Sequence, residues 1–320
     1  MKAILVSQPG DSSVMKLVEL PQLTPKAGEV LIRVKAAGVN PVDTYLRAGI
    51  QGYNPACPYT PGIDLAGIIE EVGDGVVTLK VGDRVYAAGN LTGSYAEFAL
   101  ARATQVFELP ENLSFAQGAT LHVPYGTAYR ALNQKGFAKP GETVLVHGGT
   151  GGVGIATIQL ARWQGLQVIA SAGSSGGASL LKSNGAGAVV DHTDPDHFAS
   201  IMHITEGKGV DIIIEMLANI NLGKDLTLLK TFGRVVVVGS RGPVEINPRE
   251  IMSRDATITG LALRNATDGD FRAIHLALID GFRMGNLKPV IAHEFPLDDA
   301  AKAHDIISNS RAMGKIVLIP

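Results

Sequence analysis

Three glycines at fixed spacing are the residues of this sequence best suited to binding a dinucleotide. Gly149, Gly151 and Gly154 lie between the apolar run Thr143–His147 and the amphipathic stretch Ile155–Arg162. In such a turn the first glycine permits a sharp change of direction, and the second lets the backbone approach a pyrophosphate. The third lets the following helix pack close to the strand, and the positive end of that helix faces the phosphates. The spacing therefore predicts a strand, a phosphate-binding turn and a helix.

The next strand indicates which dinucleotide is bound. An NAD site carries an acidic residue about 20 residues beyond the glycines, where it holds the ribose. No Asp or Glu lies between Glu142 and Asp191, and the turn after the second strand contains Ser171, Gly173 and Ser174 instead. Small hydroxyl residues and open backbone suit a 2′-phosphate, so the sequence favours NADPH over NADH. The candidate cations for that phosphate are Lys182, His192 and Arg241.

The elements around the glycine turn alternate between strand and helix. The runs that follow are almost continuously apolar, as strands buried on both faces are: Ala188–Val190, Val210–Ile214 and Arg234–Val238. With a last strand near Thr257–Leu263 they predict a doubly wound sheet of six parallel strands. The ligand is expected at the carboxyl ends of these strands, where Glu215–Asn219 and Gly239–Gly242 follow.

Residues 1–110 have a different pattern. Val30–Lys35 alternates apolar and charged residues, as a half-buried strand does, and turn signals separate further short strands. Ser114 is predicted to cap a helix over Phe115–Leu121, and a longer helix is predicted over Tyr125–Gln134. The carboxyl-terminal residues have the pattern helix, helix, strand and no complete core. We therefore expect them to return to the first domain, with the dinucleotide domain inserted between.

Composition excludes several classes of protein. The chain has 320 residues, of which 46% are hydrophobic and 18% charged, and its net charge is −2. This is typical of an ordinary globular protein, and the absence of a basic surplus argues against nucleic acid as a partner. The single cysteine, Cys57, excludes an intrachain disulfide framework and a multi-cysteine zinc site. No membrane span is predicted, and a cytoplasmic location is expected.

With these motifs the sequence resembles the zinc-independent branch of the medium-chain dehydrogenase/reductase superfamily, and within it the quinone oxidoreductases and zeta-crystallins. The resemblance covers nearly the whole chain and is carried by these stretches: Gly38–Tyr45, Pro58–Gly62, Val144–Gly154, Asp211–Asn219, Gly239–Gly242 and Ile246–Arg249. It implies an α/β fold in which a doubly wound parallel Rossmann sheet is inserted in a GroES-like antiparallel β-barrel-type domain. The implied domains are 1–121 plus 266–320 for substrate and 122–265 for the dinucleotide.

The sequence departs from the zinc alcohol dehydrogenases of the superfamily at the metal ligands. Their metal cysteine is replaced by Asn40, and their histidine ligand by Ile63 in Gly62-Ile63-Asp64. Their four-cysteine structural lobe is absent as well. Because tetrahedral zinc needs several converging thiolate, imidazole or carboxylate ligands, we expect no metal.

The resemblance implies NADPH-dependent reduction of a quinone or related conjugated carbonyl compound, with the cofactor supplying the chemistry. Tyr45 is the candidate to orient the acceptor or donate a proton, and Asn40 is the second catalytic candidate. The alternative role for Tyr45 is packing against the nicotinamide. By similarity the cofactor-binding residues are Asn40, Tyr45 and Thr127 near the nicotinamide, Gly149, Gly151, Gly152, Val153 and Gly154 at the pyrophosphate, Ser171, Gly173 and Ser174 near the 2′-phosphate, and His192, Asn219, Gly239, Ser240, Arg241, Gly242, Ala262, Leu263 and Arg264 along the groove.

Two other functions are consistent with these motifs. One is an NADPH-dependent reductase of enone or enoyl double bonds, which must also place a proton on carbon. The other is a crystallin-like, non-enzymatic NADPH-binding protein. The apolar run Ala256–Leu263 would be a liability as an exposed sheet edge, so pairing with a second copy is expected, in a homodimer or homotetramer.

Overall fold

The computed structural model describes residues 1–309 and 313–320, apart from the side chain of Asp268. The chain divides into two compact units, Met1–Val123 with Phe271–Pro320, and Pro124–Asp270. The sequence places these boundaries after residues 121 and 265, a few residues earlier in the chain.

The strands and helices follow one another along the chain in this order. Up to residue 123 they are β1 (Lys2–Val6), β2 (Met15–Glu19), β3 (Glu29–Val39), α1 (Pro41–Ala48), β4 (Asp64–Val72), β5 (Arg84–Ala87), β6 (Phe98–Arg102), β7 (Val106–Glu108) and α2 (Phe115–Gly118). The next are α3 (Gly126–Tyr129), β8 (Thr143–Val146), α4 (Gly152–Trp163), β9 (Gln167–Ala172), α5 (Ser175–Ser183), β10 (Ala188–Asp191), α6 (His197–Ile204), β11 (Val210–Glu215), α7 (Ala218–Leu228), β12 (Leu229–Val237), α8 (Pro248–Met252) and β13 (Thr257–Gly260). The last are α9 (Asp268–Arg283), β14 (Ile291–Pro296), α10 (Ala300–Asn309) and β15 (Lys315–Ile319).

The second unit is built on a six-stranded parallel sheet in the order β10-β9-β8-β11-β12-β13. This confirms the predicted doubly wound sheet. All four residues of β8 are buried, because helices cover both faces of a sheet of this kind. Apolar side chains of successive strands meet in one core, among them Leu145, Ile169, Ile213 and Val235.

The first unit is built on a seven-stranded sheet in the order β14-β15-β3-β4-β5-β7, with β6 also paired to β3. Its pairs are antiparallel except β14 with β15, and β1 and β2 form a separate antiparallel ribbon. Strand β15 pairs with β3 through Ile316 and Val39, so the carboxyl-terminal residues return to the first domain as expected. Strand β14 was not predicted, because Ile291–Pro296 has no clean alternation of apolar and polar residues.

The helices around residue 120 differ from the predicted ones. Ser114 caps α2 as expected, since its Oγ accepts from the N–H of Gln117 at 3.2 Å. The chain then forms wide π turns over Leu121–Tyr125 and Arg130–Lys135, on either side of the short α3. Pro124 lies in the first of these turns, and a proline has no N–H for the helical ladder. The helix predicted over Tyr125–Gln134 is therefore present, as a helical run that combines α3 with π turns, whereas the one predicted over Phe115–Leu121 ends earlier, at Gly118.

Candidate functional site

The glycine turn leads directly from β8 into α4. Gly148 takes a positive φ of 60°, and the Gly151 N–H donates back to the Gly148 carbonyl at 3.2 Å. Gly151 is then the N-cap of α4 and has no side chain with which to cap it. The first N–H groups of a helix have no acceptor within it, so this end of α4 presents donors to an anion.

The space around the glycines differs from one to the next. A Cβ at Gly154 would lie 2.5 Å from the Gly148 carbonyl oxygen, and one at Gly149 would lie 2.9 Å from Leu181 Cδ1. At Gly151 the nearest atom would be the Gly148 oxygen at 3.7 Å, which is an ordinary contact. Gly154 is thus required by the protein's own backbone, and at Gly149 the buried Leu181 side chain would have to shift. Neither constraint applies at Gly151, and its open face fits the close approach of a pyrophosphate.

The end of β9 lies beside this turn. The Gly149 N–H donates to the Ser171 carbonyl at 3.2 Å, so the backbone of β9 fixes the turn. The Ser171 side chain is buried, and its Oγ lies 3.5 Å from His147 Nδ1. Ser174 is exposed and caps α5, because its Oγ accepts from the Gly177 N–H at 3.1 Å. A phosphate contact of Ser171 or Ser174 remains a prediction, and the Ser171 hydroxyl is directed inward.

The other predicted groove residues of this unit lie at the carboxyl ends of their strands. The Asn219 Oδ1 accepts from the Arg241 N–H at 2.9 Å, which brings those two predicted residues together. Gly239 approaches Met216 so closely that a Cβ would lie 2.5 Å from its carbonyl oxygen. The remaining ones are exposed or half-buried: His192, Ser240, Gly242, Ala262, Leu263 and Arg264.

A buried cluster of His147, Glu215 and Asp225 lies at the ends of β8 and β11, and we call it the His147 cluster. His147 Nε2 lies 2.9 Å from Asp225 Oδ1 and 3.7 Å from Glu215 Oε2. Glu215 also accepts from the Leu217 N–H and from Asn221 Nδ2 at 3.2 Å. Two carboxylates and one imidazole therefore share a buried site, where charges must be paired.

Burial and pairing act in opposite directions on this cluster. Burial raises the pKa of Glu215 to about 7. Burial alone would lower the pKa of His147, but its hydrogen bond to Asp225 and the charges of Asp225 and Glu215 outweigh that effect, so the pKa of His147 is raised. Both shifts therefore favour the protonated forms of Glu215 and His147. Sequence reasoning named Glu215 only as the start of the segment Glu215–Asn219 beside the ligand, and it missed the partners His147 and Asp225, although polar residues at the ends of apolar strands were a signal.

A second buried cluster surrounds Asn40 in the first unit. We call Asn40, Asp43, Asp64 and Lys315 the Asn40 cluster; Asp43 and Asp64 are each 1% exposed. The Asn40 N–H donates to Asp43 Oδ2 at 2.8 Å, and Asn40 Nδ2 donates to Asp64 Oδ2 at 3.1 Å. Lys315 Nζ donates to Asn40 Oδ1 and to the Val39 carbonyl, each at 2.6 Å.

Burial shifts the pKa values of all three ionisable groups in the Asn40 cluster. Burial raises the pKa of Asp43 to about 7 and the pKa of Asp64 to about 6. Burial lowers the pKa of Lys315, although both carboxylates favour its charged form. The sequence did not predict this cluster around Asn40, and its one signal was a lysine at the start of the apolar strand β15.

Tyr45 and Thr127 are the other two residues predicted near the nicotinamide. Tyr45 is half-buried on α1, with its ring centroid 6.5 Å from that of Tyr53. Thr127 is buried in α3 of the second unit.

Comparison with known proteins decides the family. Residues 152–280 match the family model described as zinc-binding dehydrogenase, and residues 26–111 match the alcohol dehydrogenase GroES-like domain. The chain is 47% identical to the quinone oxidoreductase of Homo sapiens over 321 residues, covering 100% of this chain and 98% of the relative. It is 50% identical to that of Rattus norvegicus over 323 residues, with the same coverage.

A solved structure agrees with these relatives. The Escherichia coli quinone oxidoreductase complexed with NADPH superposes with a TM-score of 0.91 at 29% identity, covering 100% of both chains. The chain belongs to the quinone oxidoreductase family of medium-chain dehydrogenases/reductases. This confirms the resemblance and the fold inferred from the sequence. Among the residues that the structure describes, no helix is long and apolar enough to cross a membrane.

The zinc named in the matched family model does not fit this member of the quinone oxidoreductase family. Ile63 offers no ligand atom, and Asn40 Oδ1 already accepts from the Lys315 ammonium, whose charge would repel a metal ion. Within residues 1–309 and 313–320, the His147 cluster is the group of three His, Asp or Glu side chains close enough together to hold a metal. That cluster lies in the dinucleotide unit. Zinc-independence remains a prediction.

Proposed function

We propose that this chain reduces quinones at the expense of NADPH, with no zinc in the reaction. NADPH supplies the reducing equivalents when it is bound. The observation that carries the proposal is the glycine turn between β8 and α4, which is closed around Gly149 and Gly154 but open at Gly151. The substrate class comes from relatives that are named quinone oxidoreductase and are 47% and 50% identical to this chain.

The dinucleotide unit supplies the groups that would hold the phosphates. The N–H groups of Gly152, Val153 and Gly154 begin α4 and would donate to the pyrophosphate. At the end of β9 no carboxylate stands where an NAD site has one, and we assign the 2′-phosphate to Gly173 and Ser174, with Lys182, His192 and Arg241 as candidate cations. The other strand ends would line the groove through Asn219, Gly239, Ser240, Gly242, Ala262, Leu263 and Arg264.

Two roles are open to Tyr45 in this proposal. Its phenol could orient or protonate the acceptor, or its ring could only pack against the nicotinamide. The Tyr45→Phe variant separates them, because a positioned acid contributes about 10²–10⁴-fold to rate. Full turnover of Tyr45→Phe would leave packing as its role. A loss of kcat with unchanged NADPH affinity would assign the hydroxyl to the chemistry.

The proposed function is tested by steady-state rates with a simple quinone and with a short enone, each with NADPH and NADH. We expect the quinone to be the better acceptor and NADPH to have clearly the lower KM. A higher kcat/KM for the enone would favour a double-bond reductase. Cofactor binding without turnover of either acceptor would favour a crystallin-like role. We further propose a cytoplasmic location and assembly as a homodimer or homotetramer, neither of which the rates test.

A further inference from the structure

The hydrogen bonds of Asn40 fix which way its side-chain amide points. The Lys315 ammonium has only donors, so the Asn40 atom 2.6 Å from Nζ must be the amide oxygen. An ionised Asp64 has only acceptors, so the Asn40 atom 3.1 Å from its Oδ2 must be the amide nitrogen. Both neighbours require the same orientation. The alternative flip would face donor to donor and acceptor to acceptor.

This orientation leaves one polar group of the amide for a ligand. The oxygen accepts from Lys315, and one of the two N–H groups donates to Asp64. The second N–H has no acceptor in the part of the chain that the structure describes, although Asn40 is only 1% exposed. A buried donor without an acceptor costs about 1–3 kcal/mol, so a ligand oxygen at this point would be bound favourably.

We propose that Lys315 is a positioning residue for Asn40, which it holds so that the amide offers a single N–H to a carbonyl oxygen. The ammonium on the amide oxygen also polarises the group and makes that N–H a stronger donor. The carbonyl belongs either to the quinone or to the carboxamide of NADPH. Asn40 then acts as a donor and not as a base. The inference rests on the proposed quinone reductase activity.

Lys315 reaches Asn40 from a distant part of the chain. It is the first residue of β15, which pairs with β3, and β3 ends at Val39, immediately before Asn40. The same ammonium donates to the Val39 carbonyl, so it fixes the backbone and the side chain together. Because Lys315 is buried, its side chain has few other conformations, and its two hydrogen bonds hold Val39 and Asn40 in place. An exposed lysine could leave such partners for water.

The test is a double-mutant cycle on Asn40→Ala and Lys315→Met, measured as kcat/KM for a 1,4-naphthoquinone with NADPH. We expect each single variant to lose at least tenfold and the double variant to lose no more than the worse single one. Lys16→Met, which replaces an exposed strand lysine, is the matched control and should keep full activity. Losses that multiply in the double variant, or wild-type rates in Lys315→Met, would overturn the proposal.

Two further measurements make the outcome specific. If Lys315→Met does not fold, the variant Lys315→Met with Asp64→Asn removes the cation together with one carboxylate and takes its place in the cycle. Calorimetry with NADPH distinguishes the two carbonyls, since weaker NADPH binding in Asn40→Ala indicates the carboxamide and an unchanged affinity indicates the quinone.

An observation independent of turnover separates this inference from the proposed function. In protein labelled with [¹⁵N]asparagine, the side-chain amide signals of Asn40 are those missing from Asn40→Ala. They should move in Lys315→Met, and in the wild type they should shift when NADPH or the naphthoquinone is added. A wild-type protein that reduces no quinone would refute the function alone. Asn40 signals unmoved by Lys315→Met would refute the inference.

Discussion

His147 Nε2 lies 2.9 Å from Asp225 Oδ1, and this contact joins the end of β8 to α7 inside the dinucleotide unit. His147 immediately precedes the glycine turn, and Asp225 is completely buried. With Glu215, whose Oε2 lies 3.7 Å from the same His147 nitrogen, the pair forms the buried His147 cluster directly before the turn.

The first prediction is that Glu215→Gln flattens the pH dependence of stability. Folding raises the pKa of Glu215 from 4.5 to about 7, so the folded state favours the protonated acid. Its contribution to stability is complete below pH 4.5 and is lost as the pH rises through about 7. Relative to the variant, the wild type should lose on the order of 3 kcal/mol of its free energy of unfolding as the pH rises from 4.5 through about 7.

Urea unfolding at pH 5, 6, 7 and 8 measures this difference. Gln keeps an oxygen for the Leu217 N–H and Asn221 and gains a donor for Asp225, so the variant should fold. Glu71→Gln, at an exposed position on β4, is the matched control and should follow the wild type. Parallel pH curves for Glu215→Gln and wild type would contradict the assigned shift.

The second prediction concerns the open glycine. Gly151→Ala should fold normally, because its Cβ would lie 3.7 Å from the nearest atom, yet it should bind NADPH at least tenfold more weakly. The added methyl group would occupy the space through which the backbone approaches the pyrophosphate. Gly187→Ala also has ordinary contacts, at 3.5 Å, and serves as the control for calorimetry and thermal unfolding. Unchanged affinity in Gly151→Ala would place the pyrophosphate elsewhere.

The third prediction concerns the choice of cofactor. Ser174→Asp keeps a good N-cap for α5 and adds a negative charge where the 2′-phosphate is expected. The KM for NADPH should rise at least tenfold, with little change in the KM for NADH. Ser114→Asp makes the same exchange at the N-cap of α2 and should change neither KM. Equal effects on both cofactors would move the phosphate site away from Ser174.

The fourth prediction concerns the sheet edge. Strand β13 pairs with β12 on one side, and within residues 1–309 and 313–320 no strand pairs with its other edge, which is available to a second copy. Sedimentation equilibrium should give about twice the chain mass of 33.5 kDa. Thr257→Lys places a charge on the exposed strand and should shift the protein toward monomer, while Thr78→Lys in a surface loop should not. A wild-type monomer would rule out this pairing.

Much of the fold followed from local pattern. The runs that became β8, β11 and the end of β12 at Val235–Val237 are mostly apolar, and strands of that kind are stable only when covered on both faces. The glycine spacing at residues 149–154 correctly predicted a strand, a tight turn and a helix, because backbone crowding there is decided by neighbours along the chain. The π turns around Pro124 were missed, since a proline shows that a helix is interrupted but not how the chain continues.

The sequence by itself therefore determined the parallel sheet, the glycine turn between β8 and α4, and the family. Only the tertiary structure decided the partners of the buried polar groups: His147 meets Asp225 across 78 residues of chain, and Asn40 meets Lys315 across 275. The physical reason is that backbone conformation and apolar patterning are local properties of a chain. The pairing of a buried charge is not, because it depends on which side chains sheet register and helix packing bring within hydrogen-bond distance.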